Sequence, residues 1–391
     1  MNIMKKTIIS GAVLTGILFT GFAGAEAMSH KDMNHGQMMD THDDHMKNRG
    51  QIISSLVRLA NFAQQYPSYR EQIIMVIKDA IAKMMADHDM DDMDDDMNMM
   101  NMSPDMSDRF DGASAVFYDE GSEMLYVSSN TDNELLVYDM DNMEMMTYEV
   151  MADDADGIYA DGDMVYQVNR SDNQIDMYEW NDGDLDYMGS SDDDRFMNGR
   201  ELAVMDDYFV VAQDANDMND NQNALVVFEM DDDELDYVGM YEVDINLWGI
   251  HANGDDLHAI IDNSNDVAIF EDFFDMDADM DDELEPDMMV EVEGITRTHG
   301  LDYDRDRDVL VLTDIGSAGA DDDGGLVIVM DAMDAMADGE IEMDEQHWIM
   351  GDMTMLGNPV DVELDFDTDM IHVAERANMG GQVLSFDMPR S

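Results

Sequence analysis

The sequence contains no cysteine, only 5 prolines, and 18 basic residues against 93 acidic ones among its 391. Without cysteine there are no disulfides, no thiolate-zinc sites and no thiol nucleophile. A formal net charge of -75 excludes nonspecific association with nucleic acid backbones or anionic membrane surfaces, since both are polyanions. Lysine stops at Lys83, and every basic residue beyond Arg109 is arginine. Beyond residue 22 no apolar run is long enough to cross a bilayer. No GxSxG, HExxH, P-loop or dinucleotide fingerprint is present. What the chain does have is 45% apolar residues, enough for a sizeable core, and 45 methionines.

The acidity is uneven. Residues 1–109 carry a net charge of -6 and residues 110–391 a net charge of -69. A strongly acidic, lysine-free surface is the expected adaptation to high salt, where counterions screen self-repulsion. A cation-binding surface would have the same composition, and the two readings are compatible.

Residues 1–27 read as a secretory signal peptide. Lys5 and Lys6 precede an apolar run from Thr7 to Phe22, and Ala23-Gly24-Ala25 and Ala25-Glu26-Ala27 both offer small-x-small cleavage sites. The mature protein is then expected to be periplasmic or extracellular, with no membrane span after cleavage. Residues 28–49 form a Met/His-rich tail expected to be disordered. His30, Met33, His35, Met38, Met39, His42, His45 and Met46 alternate there with aspartates. Thioethers suit Cu(I) and imidazoles suit Cu(II), so these eight are candidate copper ligands. The tail resembles the Met/His-rich tracts of exported bacterial copper-resistance proteins.

Residues 50–86 carry apolar positions at helical spacing on both sides of Pro67. The pattern predicts a helical hairpin that caps the main domain or meets another protein. Residues 87–108 are an Asp/Met-rich segment expected to be a linker extended by self-repulsion.

From Arg109 to the end, short strands with apolar–polar alternation recur between Asp/Asn/Gly turns. Copies are MLYVSSNTDNELLVYD (124–139), MVYQVNRSDNQIDMYE (164–179), YFVVAQDANDMNDNQNALVVFE (208–229), LHAIIDNSNDVAIFED (257–272), VLVLTDIGSAGADDDGGLVIVMD (309–331) and MIHVAERANMGGQVLSFD (370–387). Each follows another short strand, and most precede a fourth. Six copies of about four strands predict an all-β, six-bladed β-propeller over residues 109–391, with a seventh blade left open. The last copy lacks a fourth strand, which residues within 99–112 are expected to supply.

The phrases GNPVDVELDFDTDMIHVAERANMGGQVLSF (357–386) and THGLDYDRDRDVLVLTD (298–314) resemble the blades of NHL/YVTN-type propellers, the superfamily that includes lactonase-like enzymes. The resemblance implies that ligands sit over the central channel, near Asp111, Asp156, Arg200, Glu201, Trp248, His251, Arg297, His299, Asn358 and Asp361. It further implies a calcium site drawing on Glu201, Asn358 and Asp361. His251, His299 and His372 fall in three repeats and are a second candidate constellation. None of the aspartate runs 275–283, 302–308 and 365–369 has both the glycine and the glutamate that an EF-hand loop places at its sixth and twelfth positions, and they read as acidic turns, the last two in hairpins between first and second strands. Met124, Met164 and Met177 alternate as core positions, whereas Met140, Met143 and Met230 flank acidic turns and are expected to be exposed.

The functional expectation is a non-enzymatic binding or scaffold module handling copper or divalent cations. The alternatives are a calcium-dependent lactonase-like hydrolase and a protein-interaction propeller with no metal role.

Overall fold

The repeats from residue 113 onward form strands because their apolar residues sit at every second position, which suits a sheet covered on one or both faces. The structure, a computed structural model, describes residues 98–389 apart from 101, 143, 182, 192, 194, 232–233, 277–279, 281–282, 318–321 and 378–379. The signal segment, the Met/His tail and the helical hairpin lie outside the described residues. No helix among the described residues is long and apolar enough to cross a membrane.

Two short strands come first, β1 (Asn98–Met100) and β2 (Met106–Arg109). Blade one is β3 (Ala113–Asp119), β4 (Met124–Ser129), β5 (Glu134–Asp139) and β6 (Glu144–Glu149). Blade two is β7 (Ala155–Asp161), β8 (Met164–Asn169), β9 (Gln174–Asn181) and β10 (Asp184–Ser190). Blade three is β11 (Gly199–Met205), β12 (Tyr208–Gln213), β13 (Asn223–Asp231) and β14 (Glu234–Val243). Blade four is β15 (Leu247–Asn253), β16 (Asp256–Ile261), β17 (Asp266–Phe270) and β18 (Met288–Val292). Blade five begins with β19 (Leu301–Asp304), β20 (Val309–Asp314) and β21 (Gly325–Met330). The short helix α1 (Ala332–Ala337) and β22 (Glu340–Ile341) follow, and β22 pairs in parallel with β18 of blade four. β23 (Gln346–Met350) completes blade five, with β1 added in parallel at its edge. Blade six is β24 (Pro359–Asp365), β25 (Met370–Glu375) and β26 (Gln382–Asp387).

The ring is closed by β2, which pairs antiparallel with β26 in the register Met106↔Ser385 to Arg109↔Gln382. The expected closing strand is therefore present, and both β1 and most of β2 fall within the segment expected to be a linker. Six sheets arranged this way are a six-bladed β-propeller. The innermost strands β3, β7, β11, β15, β19 and β24 each neighbour the next, and β24 neighbours β3.

The core is divided among blade interfaces. Phe209, Phe228 and Phe196 pack with Tyr166 and Ile175 between blades two and three. Leu364, Ile371 and Phe386 pack with Val309 and Leu326 between blades five and six. Fully burying side chains of this kind contributes about 1.5–3 kcal/mol each. Each inner hairpin turns through one left-handed residue, namely Glu123, Gly162, Asp206, Gly254, Asp308 or Asp369. Glycine and, less readily, aspartate tolerate that conformation, which accounts for the acidic and glycine-containing turns of the repeat. The runs at 302–308 and 365–369 are such turns, with Asp304 accepting from Arg307 N (2.7 Å) and Asp365 from Asp367 N (2.9 Å).

Met177 is buried, and Met124 and Met164 pack against the core as expected. Met140 and Met230 depart from the expectation of exposure. Both are half-buried against the core, and Met230 sulfur accepts from Tyr166 Oη at 3.0 Å. They sit at the ends of the third strands, where an unbranched thioether fills the gap left as the turn departs. Met143 lies outside the described residues.

Candidate functional site

A hydrogen bond recurring in every blade builds one mouth of the central channel. The residue following or ending the second strand donates its N–H to a carbonyl just before the inner strand: Asn130 to Gly112, Arg170 to Asp154, Asp214 to Asn198, Asp262 to Asn246, Ile315 to Arg297 and Arg376 to Asn358. Side chains on these loops therefore meet those at the start of the inner strands. In five blades the register shifts near that start, as between Ala155 and Ile158, Gly199 and Leu202, and Leu247 and Ile250. Such bulges re-aim side chains, here Asp156, Arg200 and Trp248. Glycine is required beside them. A Cβ on Gly157 would lie 2.5 Å from Glu201 Oε1, and one on Gly249 would lie 2.3 Å from the His299 carbonyl.

Four arginines gather at this mouth. Arg170 donates to Asp156 Oδ2 at 2.8 Å and to Asp154 Oδ2 at 3.0 Å. Arg200 bridges Asp156 (3.1 Å) and Asp214 (2.7 Å), and its guanidinium carbon stands 4.2 Å over the Trp248 ring. Arg297 holds Asp262 Oδ1 through Nε and Nη2 at 3.1 and 2.7 Å. Arg376 donates from Nη2 to Asn358 Oδ1 at 3.1 Å. His299 stacks on Trp248, with ring centroids 4.0 Å apart and the rings 18° from parallel, and its Nε2 lies 3.5 Å from Asp262. Burial holds the His299 imidazole down to about 4, against the pull of Asp262, so the ring is neutral at pH 7. Burial pushes the Asp156 carboxyl up to about 6 even beside Arg170.

Deeper in the channel a cavity of about 130 Å³ is lined by Glu201, His251, Asp361 and Glu363 together with apolar inner-strand residues. Here carboxylates stitch one blade to the next. Asp361 Oδ2 accepts from Val116 N (2.8 Å), and Asp302 Oδ2 accepts from Leu364 N (2.7 Å). Burial raises the Asp361 carboxyl to about 7, reinforced by the charges of Asp302 and Asp156. Glu201 and Glu363 are pushed well up for the same reasons, by burial first and then by neighbouring carboxylates. His251 Nδ1 lies 3.3 Å from Asp302, and its Nε2 contacts the Tyr303 carbonyl at 3.1 Å.

The structure thus brings Asp156, Arg200, Trp248, Arg297, His299 and Asn358 to one mouth, and Glu201, His251 and Asp361 to the channel wall. Asp111 instead pairs with exposed Arg109 at 2.8 Å. The calcium-type trio does not make one donor set. Asn358 Oδ1 is held by Arg376, while Glu201 and Asp361 accept backbone N–H groups at Leu202 and Val116. Among the described residues no three His, Asp or Glu side chains are grouped to hold a metal ion, whereas calcium takes six to eight oxygens. The three histidines do not converge either. His372 is fully buried inside blade six, with Nδ1 2.7 Å from Ser385 Oγ and Nε2 3.5 Å from Asp365. The copper-type residues of the tail lie outside the described residues.

Arg170, Arg376, Asp214 and Asp262 were not among the expected mouth residues. Their signal was available, since each stands directly after the second strand of its repeat, as in QVNR, VAQD, IID and VAER.

These features define the class, a six-bladed β-propeller with a polar, arginine-bearing channel mouth. No protein-family model matches the chain, and no curated protein matches it. Among solved structures it is similar to the computationally designed Ika8 protein (crystal packing in P63), with a TM-score of 0.39, 9% identity, and coverage of 70% of this chain and 71% of that one. A similarity of that size identifies neither family nor function.

Proposed function

We propose that the protein is an exported, salt-adapted binding propeller that engages its ligand over the arginine-bearing mouth of the channel. A propeller fold supports a binding or scaffold role in general. The observation that carries the finer reading is the Arg200–Trp248–His299 stack. It sets an aromatic pair beside forked donors, Arg200 and Arg297, whose orientations are fixed by Asp156, Asp214 and Asp262. Preorganised donors beside an apolar face are the usual make-up of a small-ligand site.

The test is a thermal-shift panel of neutral, cationic and anionic small molecules in 1 M KCl, on the wild type and Trp248→Ala. A compound that stabilises the wild type and not the variant supports the reading. Equal stabilisation of both proteins, or of neither, overturns it.

The same reading gives residues 28–49 the task of collecting copper-type cations, on the strength of four histidines and five methionines within that segment. Copper should survive exhaustive dialysis of the mature chain and be lost when His30, His35, His42 and His45 are replaced by alanine. Equal retention by both forms refutes the assignment.

A further inference from the structure

Three of the four mouth arginines are neutralised locally, and one is not. Arg170, Arg200 and Arg297 are held by Asp154, Asp156, Asp214 and Asp262. Arg376 makes no ion pair among the described residues, where its guanidinium donates to the neutral Asn358 amide. Scarcity of carboxylates does not explain this in a chain with 93 of them. The adjacent Glu375 is committed elsewhere, its carboxylate accepting from the N–H groups of Gly357, Asn358 and Ala377 at 2.8–2.9 Å. Arg376 is also only partly exposed. Burial lowers its pKa, and the charges of Arg170 and Arg297 add to that effect, with Asp156 and Glu375 as a partial offset. A second unmet group lies in the same mouth. His299 is 1% exposed, and its Nδ1 has no hydrogen-bond partner.

A partly desolvated guanidinium with no ion-pair partner among the described residues is under-satisfied, and an oxyanion supplies that partner. Its planar fork matches the two oxygens of a carboxylate or phosphate. The other mouth arginines face Asp154, Asp156, Asp214 and Asp262 as ion-pair partners, while Glu375 and Asp314 are spent on backbone N–H groups, inside a protein of charge -75. The surrounding field repels extended polyanions, while at 1 M salt the screening length falls to about 3 Å and a compact anion can approach.

Resting on the binding reading above, we infer that Arg376 is the docking point for a single compact oxyanion group, a carboxylate or a phosphate, at the channel mouth. Trp248, which is partly exposed, then contacts the remainder of the ligand.

The full mature chain is titrated calorimetrically in 1 M KCl with inorganic phosphate and, separately, with citrate, and the two arms distinguish phosphate from carboxylate. Arg376→Gln should weaken the bound anion at least tenfold, and Arg376→Lys, which keeps the charge but not the fork, by less. Arg305→Gln, at an exposed pair with Asp256, should leave affinity unchanged. Thermal unfolding of each variant shows whether the fold is intact. If neither anion binds the wild type, or Arg376→Gln and Arg305→Gln bind as the wild type does, the inference is overturned. The parent reading then still stands wherever a neutral or cationic compound loses its stabilisation in Trp248→Ala.

Discussion

Arginines at the channel mouth and arginines on the outer surface show how differently one side chain is used in a single chain. Arg109, Arg195, Arg305 and Arg307 are 65%, 60%, 54% and 47% exposed, and three of the four pair with an aspartate two or three residues away. Arg170, Arg200 and Arg297 are 21%, 14% and 21% exposed, and their partners lie 14 to 44 residues away. The outer pairs are local, solvated and weak. The mouth pairs cross loops and blades, are partly desolvated, and hold their planar forks in fixed directions. The contrast teaches that charge in this protein acquires specificity only where the ring of blades removes water.

The largest effect that sharpens this comparison concerns the channel just below the mouth. Asp361 titrates near 7 in the folded protein against 3.8 ordinarily, so the folded state holds a proton the unfolded state has released. Its contribution to stability is present below about pH 4 and is lost as pH rises through 7. Asp361→Asn removes that loss and keeps an acceptor for Val116 N. The variant should gain on the wild type by up to about 4 kcal/mol between pH 4 and pH 8, measured by urea unfolding at each pH. A constant difference across that range would refute the assignment.

A somewhat smaller effect is expected for Asp262→Ala, which strips the carboxylate from a half-buried Arg297. Destabilisation of about 3 kcal/mol is expected at pH 7, and it should persist in 1 M KCl. Arg297 and His299 hold the Asp262 carboxyl below its ordinary range, although burial opposes them. Its contribution is therefore present above the unfolded pKa and fades as pH falls through the lower folded value. The gap between wild type and variant should therefore narrow in acid.

The smallest effect belongs to the outer pairs. Arg305→Gln should change stability by less than about 0.5 kcal/mol and by nothing measurable in 1 M KCl. A loss as large as that of Asp262→Ala would dissolve the distinction between the two sets.

Much of the architecture was legible in the residues. Alternation and turn chemistry marked nearly every strand, the spacing of the units gave six blades, and the incomplete last unit pointed to an N-terminal closing strand. The site was legible only in part. Trp248, His299 and Arg297 could be placed at the mouth because they start inner strands. Arg170 and Arg376 follow a second strand rather than start an inner one, so the pattern of inner-strand starts alone did not mark them. Met140 and Met230 read as exposed for a similar reason: their acidic neighbours in sequence are solvated, but their neighbours in space are core residues of the blade.

The sequence by itself determined the strand pattern, the number of repeats and the acidity of the surface, since these depend on residue type and short-range spacing. It also sets the expectation of export and of soft-metal ligands in residues 28–49. Only the tertiary structure decided that Arg376 shares the channel mouth with Arg170 and Arg297, that Glu201, Asp361 and Glu363 share one cavity, and that His251, His299 and His372 go to three separate places. Each of those depends on ring closure, which brings together residues up to some two hundred positions apart. The resulting desolvation, and with it the shifts of Asp156, Asp361 and His299, has no counterpart in the unfolded chain.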